Sequence, residues 1–236
     1  SILAIIGLAV GGFYFLSPPN FAAAATAQGF VDDRMAFLDK VIDGVKQSGI
    51  KSVVFLSSIA AHHESGTGPI VIVSKAEKKL KALAPSVTFI RASYFLENWA
   101  AMLPVVQKDG VLPNFGPIDV KFHQVSSRDI GNAAADALMH PADGTHTVEL
   151  AGKEDWSVSD IAQGMGTILG KTVTAVSAPV EGAKDGLIAA GVPAGMAELY
   201  AEMYGAMGKG LMAFEKPNSI SRGSTPLDTA LRMFVK

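Results

Sequence analysis

Two patterns of apolar residues alternate along the chain. Short continuous apolar runs, such as residues 13–16 and 53–56, are typical of strands that are buried on both faces of a parallel sheet. Between them, apolar residues recur every three or four positions, as at Leu38, Val41 and Val45, which indicates amphipathic helices. We predict strands over 13–16, 51–58, 87–91, 121–125, 144–150 and 171–176, and helices over 31–46, 72–83, 94–106, 127–139, 161–169 and 180–209. Strands and helices that alternate in this way predict an α/β fold built on a parallel sheet.

Polar residues and prolines mark the ends of several predicted helices. Residues 126–129 and 157–160 both have the Ser-x-x-Asp spacing of a capping box, in which each side chain binds the other residue's backbone N–H. Thr225 is expected to cap the last helix, with Pro226 at its first position, where a missing N–H costs nothing. Gly191-Val192-Pro193 should interrupt the long C-terminal helical segment.

Composition narrows the functional classes. Among 236 residues, 49% are apolar, 18% are charged, and the net charge is −2, so the chain is neither disordered nor a nucleic-acid binder by charge. The absence of cysteine excludes disulfides, thiolate catalysis and cysteine–zinc sites, and it fits a cytoplasmic protein. His62-His63-Glu64 lacks further ligands at a suitable spacing, so we predict no metal site there.

The first 31 residues carry no charge, and two interpretations stay open. An apolar run followed by Ala22–Ala25 resembles a secretory signal, but no basic residue precedes it. The run is also shorter than the ~18 residues of a membrane span, and Pro18-Pro19 interrupts it. A helix over 2–8, a glycine-marked turn and a buried strand explain the segment more simply, and we expect no membrane association.

Several motifs occur in an order that resembles a known family. They are Phe-Leu-Ser-Pro-Pro at 15–19, Val-Val-Phe-Leu-Ser-Ser at 53–58, Ser-Gly-Thr-Gly-Pro at 65–69, Lys-Ala-Glu at 75–77, Ile-Arg-Ala-Ser-Tyr-Phe-Leu-Glu-Asn at 90–98, Ser-Arg-Asp-Ile at 127–130 and Arg-Gly-Ser-Thr-Pro-Leu at 222–227. Together they resemble the NmrA-like branch of the atypical short-chain dehydrogenase/reductases. The resemblance implies a doubly wound parallel sheet of the Rossmann type over 1–150. It also implies a smaller, mostly helical substrate-side region over 151–236, interleaved with 107–125.

Members of this family bind NADP or NAD through a glycine motif after their first strand, and no comparable motif precedes Ser17 here. Two βα units, about 60 residues, are therefore expected to be missing, so the Rossmann-like part is N-terminally incomplete. In the family's strand order this leaves residues 13–16 as an open apolar edge. Three explanations stay open: the sequence is part of a longer chain, the gene is a genuine truncation, or the edge is covered by the N-terminal apolar segment, a second copy of the chain or a partner subunit. We favour the first.

Lys75 is the strongest candidate for a catalytic and cofactor-binding residue. By resemblance it is the cofactor-orienting half of the Tyr-x-x-x-Lys pair of classical relatives, and Val71, which cannot donate a proton, holds the tyrosine position. The alternative is that Lys75 shares a solvated helix face with Lys78, Lys79 and Lys81.

Further candidates follow the ends of predicted strands, where open α/β sheets bind ligands. Ser17, Pro18, Ser57 and Ser58 are placed to contact ribose and nicotinamide, and ordinary turn chemistry is the alternative explanation. By resemblance, the nicotinamide pocket is walled by Ser93, Tyr94, Phe95 and Asn98.

The resemblance implies two functions. The first is an NAD(P)H-dependent oxidoreductase that transfers a hydride directly to a small quinone-like or other conjugated acceptor. The second is a non-catalytic NAD(P)-sensing regulator that binds a protein partner. The missing tyrosine favours the regulator, and the apolar helical C-terminal region favours the enzyme. The missing glycine motif leaves a third possibility open, that this chain binds no nucleotide.

Overall fold

A computed structural model describes residues 11–236, and the helix predicted over residues 2–8 lies outside them. The strands are β1 (Gly12–Phe15), β2 (Ser52–Ser58), β3 (Ser86–Ala92), β4 (Tyr94–Phe95), β5 (Val111–Phe115), β6 (Phe122–Val125), β7 (Gly144–Ala151), β8 (Asp155–Trp156), β9 (Thr174–Ala178) and β10 (Ser221–Arg222). The α-helices are α1 (Ala27–Ser48), α2 (Ile70–Leu80), α3 (Leu103–Asp109), α4 (Ser127–Met139), α5 (Val158–Leu169), α6 (Ala183–Ala189), α7 (Ala194–Gly208) and α8 (Leu227–Leu231).

The central sheet has the strand order β1-β2-β3-β7-β10, and all of its pairs are parallel. Tyr14 lies opposite Val54, so the first apolar run is a strand of this sheet. The predicted α/β fold with a parallel sheet is confirmed. Within residues 11–236, each helix is either too short or too polar to cross a membrane.

Alternate residues of the strands face opposite layers of helices, which makes the sheet doubly wound. Phe13, Phe15, Val53 and Phe55 pack with α1 and α2 on one face, and Val54 packs with α4 on the other. Because both faces are covered, the strands read as continuous apolar runs rather than as alternating ones.

A separate apolar cluster holds the C-terminal part together. It joins Trp99, Leu112, Ile161 and Leu231, which come from the 3₁₀ helix Leu96–Met102 and from β5, α5 and α8. The two-stranded sheet β5–β9 and the small sheet β4-β6-β8 lie in this part.

The helix predicted over 94–106 was wrong. Tyr94 and Phe95 form β4, Leu96–Met102 is a 3₁₀ helix, and α3 begins only at Leu103, with Pro104 in its first turn. The strands β5, β8 and β10 were not predicted, because two of them have only two residues and β5 contains Pro113.

Of the two predicted capping boxes, only the one at 157–160 is confirmed. Ser157 and Asp160 bind each other's backbone N–H groups at 3.1 and 2.9 Å. Ser126 does cap α4 by accepting from the N–H of Arg128, but Asp129 points elsewhere. The cap predicted at Thr225 was also wrong, because Pro226 is the N-cap residue of α8 and the Thr225 hydroxyl binds Asp129.

Candidate functional site

The carboxyl ends of three adjacent parallel strands meet at one end of the central sheet. We call this side, which is distinct from the open side of β1, the strand edge. Ser17 follows β1, Ser57 and Ser58 end β2, and Ser93 and Tyr94 follow β3. Parallel pairing, with Ser58 opposite the last residue of β3, aligns these strand ends. The structure therefore brings most of the predicted cofactor-binding residues to one edge, where open α/β sheets bind ligands.

The loop after β1 is held by the helix that follows it. Arg34 of α1 is buried, donates to the carbonyl oxygen of Pro18 and pairs with Asp33. Asn20 donates to the same Asp33 carboxylate at 3.2 Å. A buried arginine that satisfies a loop carbonyl fixes the backbone of Ser17 and Pro18 against α1.

A buried hydrogen-bond network fixes the end of β2. Ser57 Oγ donates to Glu77 Oε1 of α2 at 2.5 Å, and Arg91 of β3 donates to both oxygens of the same carboxylate at 3.0 and 2.7 Å. Arg91 also donates to Glu215 at 2.6 Å, and Glu149 accepts from the backbone N–H groups of Glu215 and Lys216. The network ties α2, three strands and the segment after α7 together.

The charges of this network are compensated. Burial acts to lower the pKa of Arg91, but its bonds to Glu77 and Glu215 outweigh that effect and raise the pKa, so the guanidinium stays charged. The hydrogen bond from Arg91 lowers the pKa of Glu215 against the opposite effect of burial.

Lys75 is exposed on α2, one turn after Val71. Its neighbours Lys78 and Lys79 form ion pairs with Glu64 at 2.5 Å and with Asp39 at 2.6 Å. Within residues 11–236, Lys75 makes neither an ion pair nor a side-chain hydrogen bond, and its ammonium group is available to a ligand. The cofactor-orienting role of Lys75 stays a prediction.

Several buried polar atoms near this edge have no hydrogen-bond partner among the described residues. They include Ser17 Oγ, Ser93 Oγ, Thr67 Oγ1 and His62 Nδ1. Burying such groups without partners costs free energy, so these four atoms are free to hydrogen-bond to a polar ligand. Hydroxyl and imidazole groups of this kind suit the ribose and carboxamide of a nicotinamide nucleoside.

The wall beyond β3 is aromatic. The Tyr94 ring packs on Trp99 at 5.5 Å and on Phe122 at 5.8 Å between ring centroids. Phe95 is half-buried in β4 and pairs with Val125, and Asn98 is exposed in the 3₁₀ helix. The structure thus places Tyr94 at the strand edge, with the Asn98 side chain as a hydrogen-bond partner of its phenol. Phe95 instead packs against the apolar cluster between the sheet and α4.

Sequence reasoning missed Glu77 and Arg91, which organise the edge, and the two partly buried tyrosines of α7. A signal existed for Arg91, because a charged residue inside the apolar strand 87–91 needs a buried partner. Tyr200 and Tyr204 also carry the i, i+4 spacing of residues on one helix face.

His123 and Asp155 form a further polar pair, between β6 and β8. The His123 Nδ1 lies 2.8 Å from Asp155 Oδ1, and Arg222 donates to the same oxygen at 2.6 Å. Burial acts to raise the pKa of Asp155, but the bonds from Arg222 and His123 outweigh it and lower the pKa. This geometry gives His123 a hydrogen-bonded structural role between the two strands.

Comparison with known proteins adds family evidence. The sequence model of the NmrA-like family matches residues 20–228. An NAD(P)H azoreductase from Xenophilus azovorans is 22% identical over 178 residues, which cover 74% of this chain and 60% of that protein. Quinone oxidoreductase 2 from Escherichia coli is 26% identical over 165 residues, which cover 69% of this chain and 56% of that protein. The matched regions thus span less than two thirds of the length of these relatives.

Solved structures share the fold. An NADPH-dependent quinone oxidoreductase from Escherichia coli, complexed with NADPH, is similar with a TM-score of 0.72 and 22% identity, over 96% of this chain and 77% of that one. A triphenylmethane reductase from Citrobacter sp., complexed with NADP(H), gives a TM-score of 0.69 and 20% identity, over 98% and 77%. Both likenesses confirm the Rossmann-like architecture.

Proposed function

The chain belongs to the NmrA-like family, and from this premise we propose that it is an NAD(P)H-dependent oxidoreductase. Its acceptor is a small quinone-like or otherwise conjugated molecule, which receives a hydride directly from the nicotinamide. The names of the azoreductase and the quinone oxidoreductase support this class of acceptor, because azo and quinone groups are both conjugated and both accept two electrons.

One observation carries the proposal. The ends of β1, β2 and β3 converge on an edge where the hydroxyls of Ser17 and Ser93 are buried without partners among the described residues. The neighbouring Ser57 is already bound to Glu77, so it supports the edge rather than contacting a ligand through its proton. Ser17, Ser58 and Ser93 would then hold the nicotinamide ribose and carboxamide.

Lys75 completes this arrangement. Its ammonium group is exposed on α2 and makes no ion pair within residues 11–236, whereas Lys78 and Lys79 are both paired. An ammonium ion that donates to ribose hydroxyls would orient the nucleoside. In this interpretation residues 1–150 bind the cofactor, and residues 151–236, together with 107–125, bind the acceptor. The reduced nicotinamide supplies the hydride, while the chain itself binds, orients and excludes water.

A second function is favoured by one residue. Val71 is aliphatic at the position where the resemblance expects a proton-donating tyrosine, which fits a protein that binds NAD(P) without turning it over. Such a regulator would bind a protein partner in response to the nucleotide.

Titration separates the two functions. NADPH is added to the chain while nicotinamide fluorescence is followed, and a quinone and an azo dye are then added while the reduced-cofactor absorbance is recorded. Binding followed by oxidation of NADPH supports the oxidoreductase. Binding without oxidation by any acceptor supports the regulator, and the absence of binding contradicts both.

A further inference from the structure

Helix α7 packs closely on the start of α2 and on the start of α1. A side-chain carbon built on Gly68, just before α2, would overlap the carbonyl oxygen of Leu199 in α7. One built on Gly195 would overlap the backbone of Thr26, the N-cap residue of α1. Two glycines thus allow backbone to approach backbone, and they fix where α7 lies relative to the strand edge.

Tyr200 lies at the first of these contacts. It follows Leu199 directly, and its ring packs against the same buried cluster as Val71 of α2. That cluster includes Ile72 of α2 and Leu199 of α7. Tyr200 therefore reaches the surroundings of Val71 from a different helix. The side chain is only partly buried, which leaves part of it accessible to a ligand.

The phenol of Tyr200 also belongs to a group of three. Burial raises the pKa of Tyr94, and the nearby phenols of Tyr204 and Tyr200 raise it further. Tyr204 lies one turn after Tyr200 and packs on Phe115 at 5.5 Å between ring centroids. Tyr94 thus lies within electrostatic reach of both tyrosines of α7, and the Asn98 side chain, which hydrogen-bonds to its phenol, acts to lower its pKa.

We propose that Tyr200 donates the proton that completes reduction of the acceptor, from α7 rather than from the Val71 position. The proposal rests on the oxidoreductase function proposed above. It explains how a chain with Val71 on α2 reduces acceptors that need a proton as well as a hydride.

The reaction balances with NAD(P)H as the reductant. The acceptor gains a hydride, and with it two electrons, from the reduced nicotinamide, which becomes oxidised. Addition of hydride to a quinone or azo group leaves a negative charge on an oxygen or nitrogen atom. The O–H bond of Tyr200 breaks, a new O–H or N–H bond forms on the acceptor, and the resulting phenolate takes a proton from water.

The environment of Tyr200 suits this role. Burial raises its pKa above the ordinary value of 10.0, so the phenol is protonated throughout the neutral range. An anion on the acceptor that is more basic than the Tyr200 phenolate is able to take this proton.

A pair of acceptors tests the assignment. A quinone needs a hydride and a proton, whereas a cationic triphenylmethane dye is neutralised by hydride alone. We expect Y200F to slow quinone reduction by about 100-fold, to abolish its solvent deuterium isotope effect, and to change dye reduction less than about threefold. NADPH binding should be unchanged. Y14F is the matched control, because Tyr14 lies in β1 and outside this group.

The outcomes distinguish the two proposals. Equal slowing of both acceptors, or slowing of neither, overturns the role of Tyr200 and leaves the oxidoreductase intact. A wild-type chain that binds NADPH but reduces neither acceptor overturns the oxidoreductase, and the role of Tyr200 falls with it.

A measurement without nucleotide gives an independent result. 4-Nitrophenolate imitates the anion on the acceptor, and its absorbance reports binding at a pH above its own pKa. We expect the wild-type chain and Y14F to bind it and Y200F to bind it about tenfold more weakly, because a charge-assisted hydrogen bond is lost. Equal binding by Y200F, or none by the wild type, contradicts the proposal. Thermal unfolding of each variant shows whether the fold is retained.

Discussion

Arg91 of β3 and Glu77 of α2 form a bidentate ion pair inside the protein, with 3.0 Å between Nε and Oε1 and 2.7 Å between Nη2 and Oε2. Glu77 Oε1 also accepts from the Ser57 hydroxyl, so the ion pair positions the end of β2 at the candidate site. Arg91 also compensates Glu149 and Glu215, which lie 3.6 and 2.6 Å from it.

The first prediction concerns this pair. R91M should lower the free energy of unfolding by about 3–5 kcal/mol, because it leaves buried carboxylates without a counter-charge. Urea unfolding at neutral pH measures the change. The control K79M removes an exposed pair with Asp39 and should cost less than about 1 kcal/mol. Similar losses in both variants would show that the Arg91 network does not stabilise the fold.

Glu215 makes the stability depend on pH. The bond from Arg91 lowers its folded-state pKa below 4.5, while burial acts the other way and is outweighed. A lowered pKa stabilises the fold above the unfolded pKa, and this contribution is lost as the pH falls through the folded pKa. We therefore expect E215Q to unfold at a lower temperature than the wild type at pH 7, and the difference to shrink below about pH 4.5.

The matched variant for this measurement is E202Q, because Glu202 is exposed on α7. Its melting temperature, relative to that of the wild type, should change little over the same pH range. If the melting temperatures of E215Q and the wild type differed by the same amount down to the lowest pH, ionisation of Glu215 would not contribute to stability as predicted.

Asp129 anchors the chain beyond β10 rather than its own helix. It accepts from the N–H groups of Ser224 and Thr225 at 3.2 Å and from the Thr225 hydroxyl at 2.9 Å. D129N should lower the free energy of unfolding by about 2 kcal/mol, because hydrogen bonds to a buried charge are lost. D136N, on the exposed face of the same helix, should change it by less than about 0.5 kcal/mol. Thermal unfolding measures both changes. Equal losses of stability in D129N and D136N would contradict this role for Asp129.

Asp129 also shows where the sequence stops being informative. Ser126–Asp129 and Ser157–Asp160 have the same spacing, yet only the second forms a reciprocal capping box. The difference arises because a segment about 95 residues later in the chain brings unpaired N–H groups to Asp129. Local spacing cannot report a competitor that arrives through the tertiary fold.

Elements with strong patterns were predictable. The first three strands of the central sheet, α1, α2 and α5 follow from continuous apolar runs or from the 3.6-residue period. The two-residue strands β4, β8 and β10 have no period to read, and they exist only because a partner strand is nearby. Ser17, Ser57 and Ser93 could be assigned to strand ends because they follow apolar runs. Tyr200 could not be assigned to the apolar cluster that it shares with Val71, because that contact depends on how α7 packs in the tertiary fold.

Gly68 allows a prediction about the position of α7. It has φ of +62°, and a side chain there would overlap the Leu199 carbonyl oxygen. G68A should therefore lower the free energy of unfolding by at least about 2 kcal/mol through backbone strain and displacement of α7. It should also increase proteolytic cleavage within α7.

Gly66 is a close control for this effect. It has φ of +79°, but no atom lies within 4 Å of a side-chain carbon built on it. G66A therefore introduces the backbone strain alone and should cost about 1 kcal/mol without changing the cleavage of α7. If G68A and G66A were equally stable and equally resistant to protease, the close packing of α7 on the loop would be refuted.

Lys75 permits the cleanest separation of binding from folding. Its side chain is exposed, so K75M should change the free energy of unfolding by less than about 0.5 kcal/mol. If Lys75 orients the nicotinamide ribose, K75M should weaken NADPH binding about tenfold, because a charge-assisted hydrogen bond to the ribose is lost. K78M removes another exposed lysine, which already pairs with Glu64, and it should leave binding unchanged. Fluorescence titration of NADPH into both variants measures the two affinities. Equal affinities would mean that Lys75 belongs to a solvated lysine face. The strand-end hydroxyls alone would then hold the nucleoside.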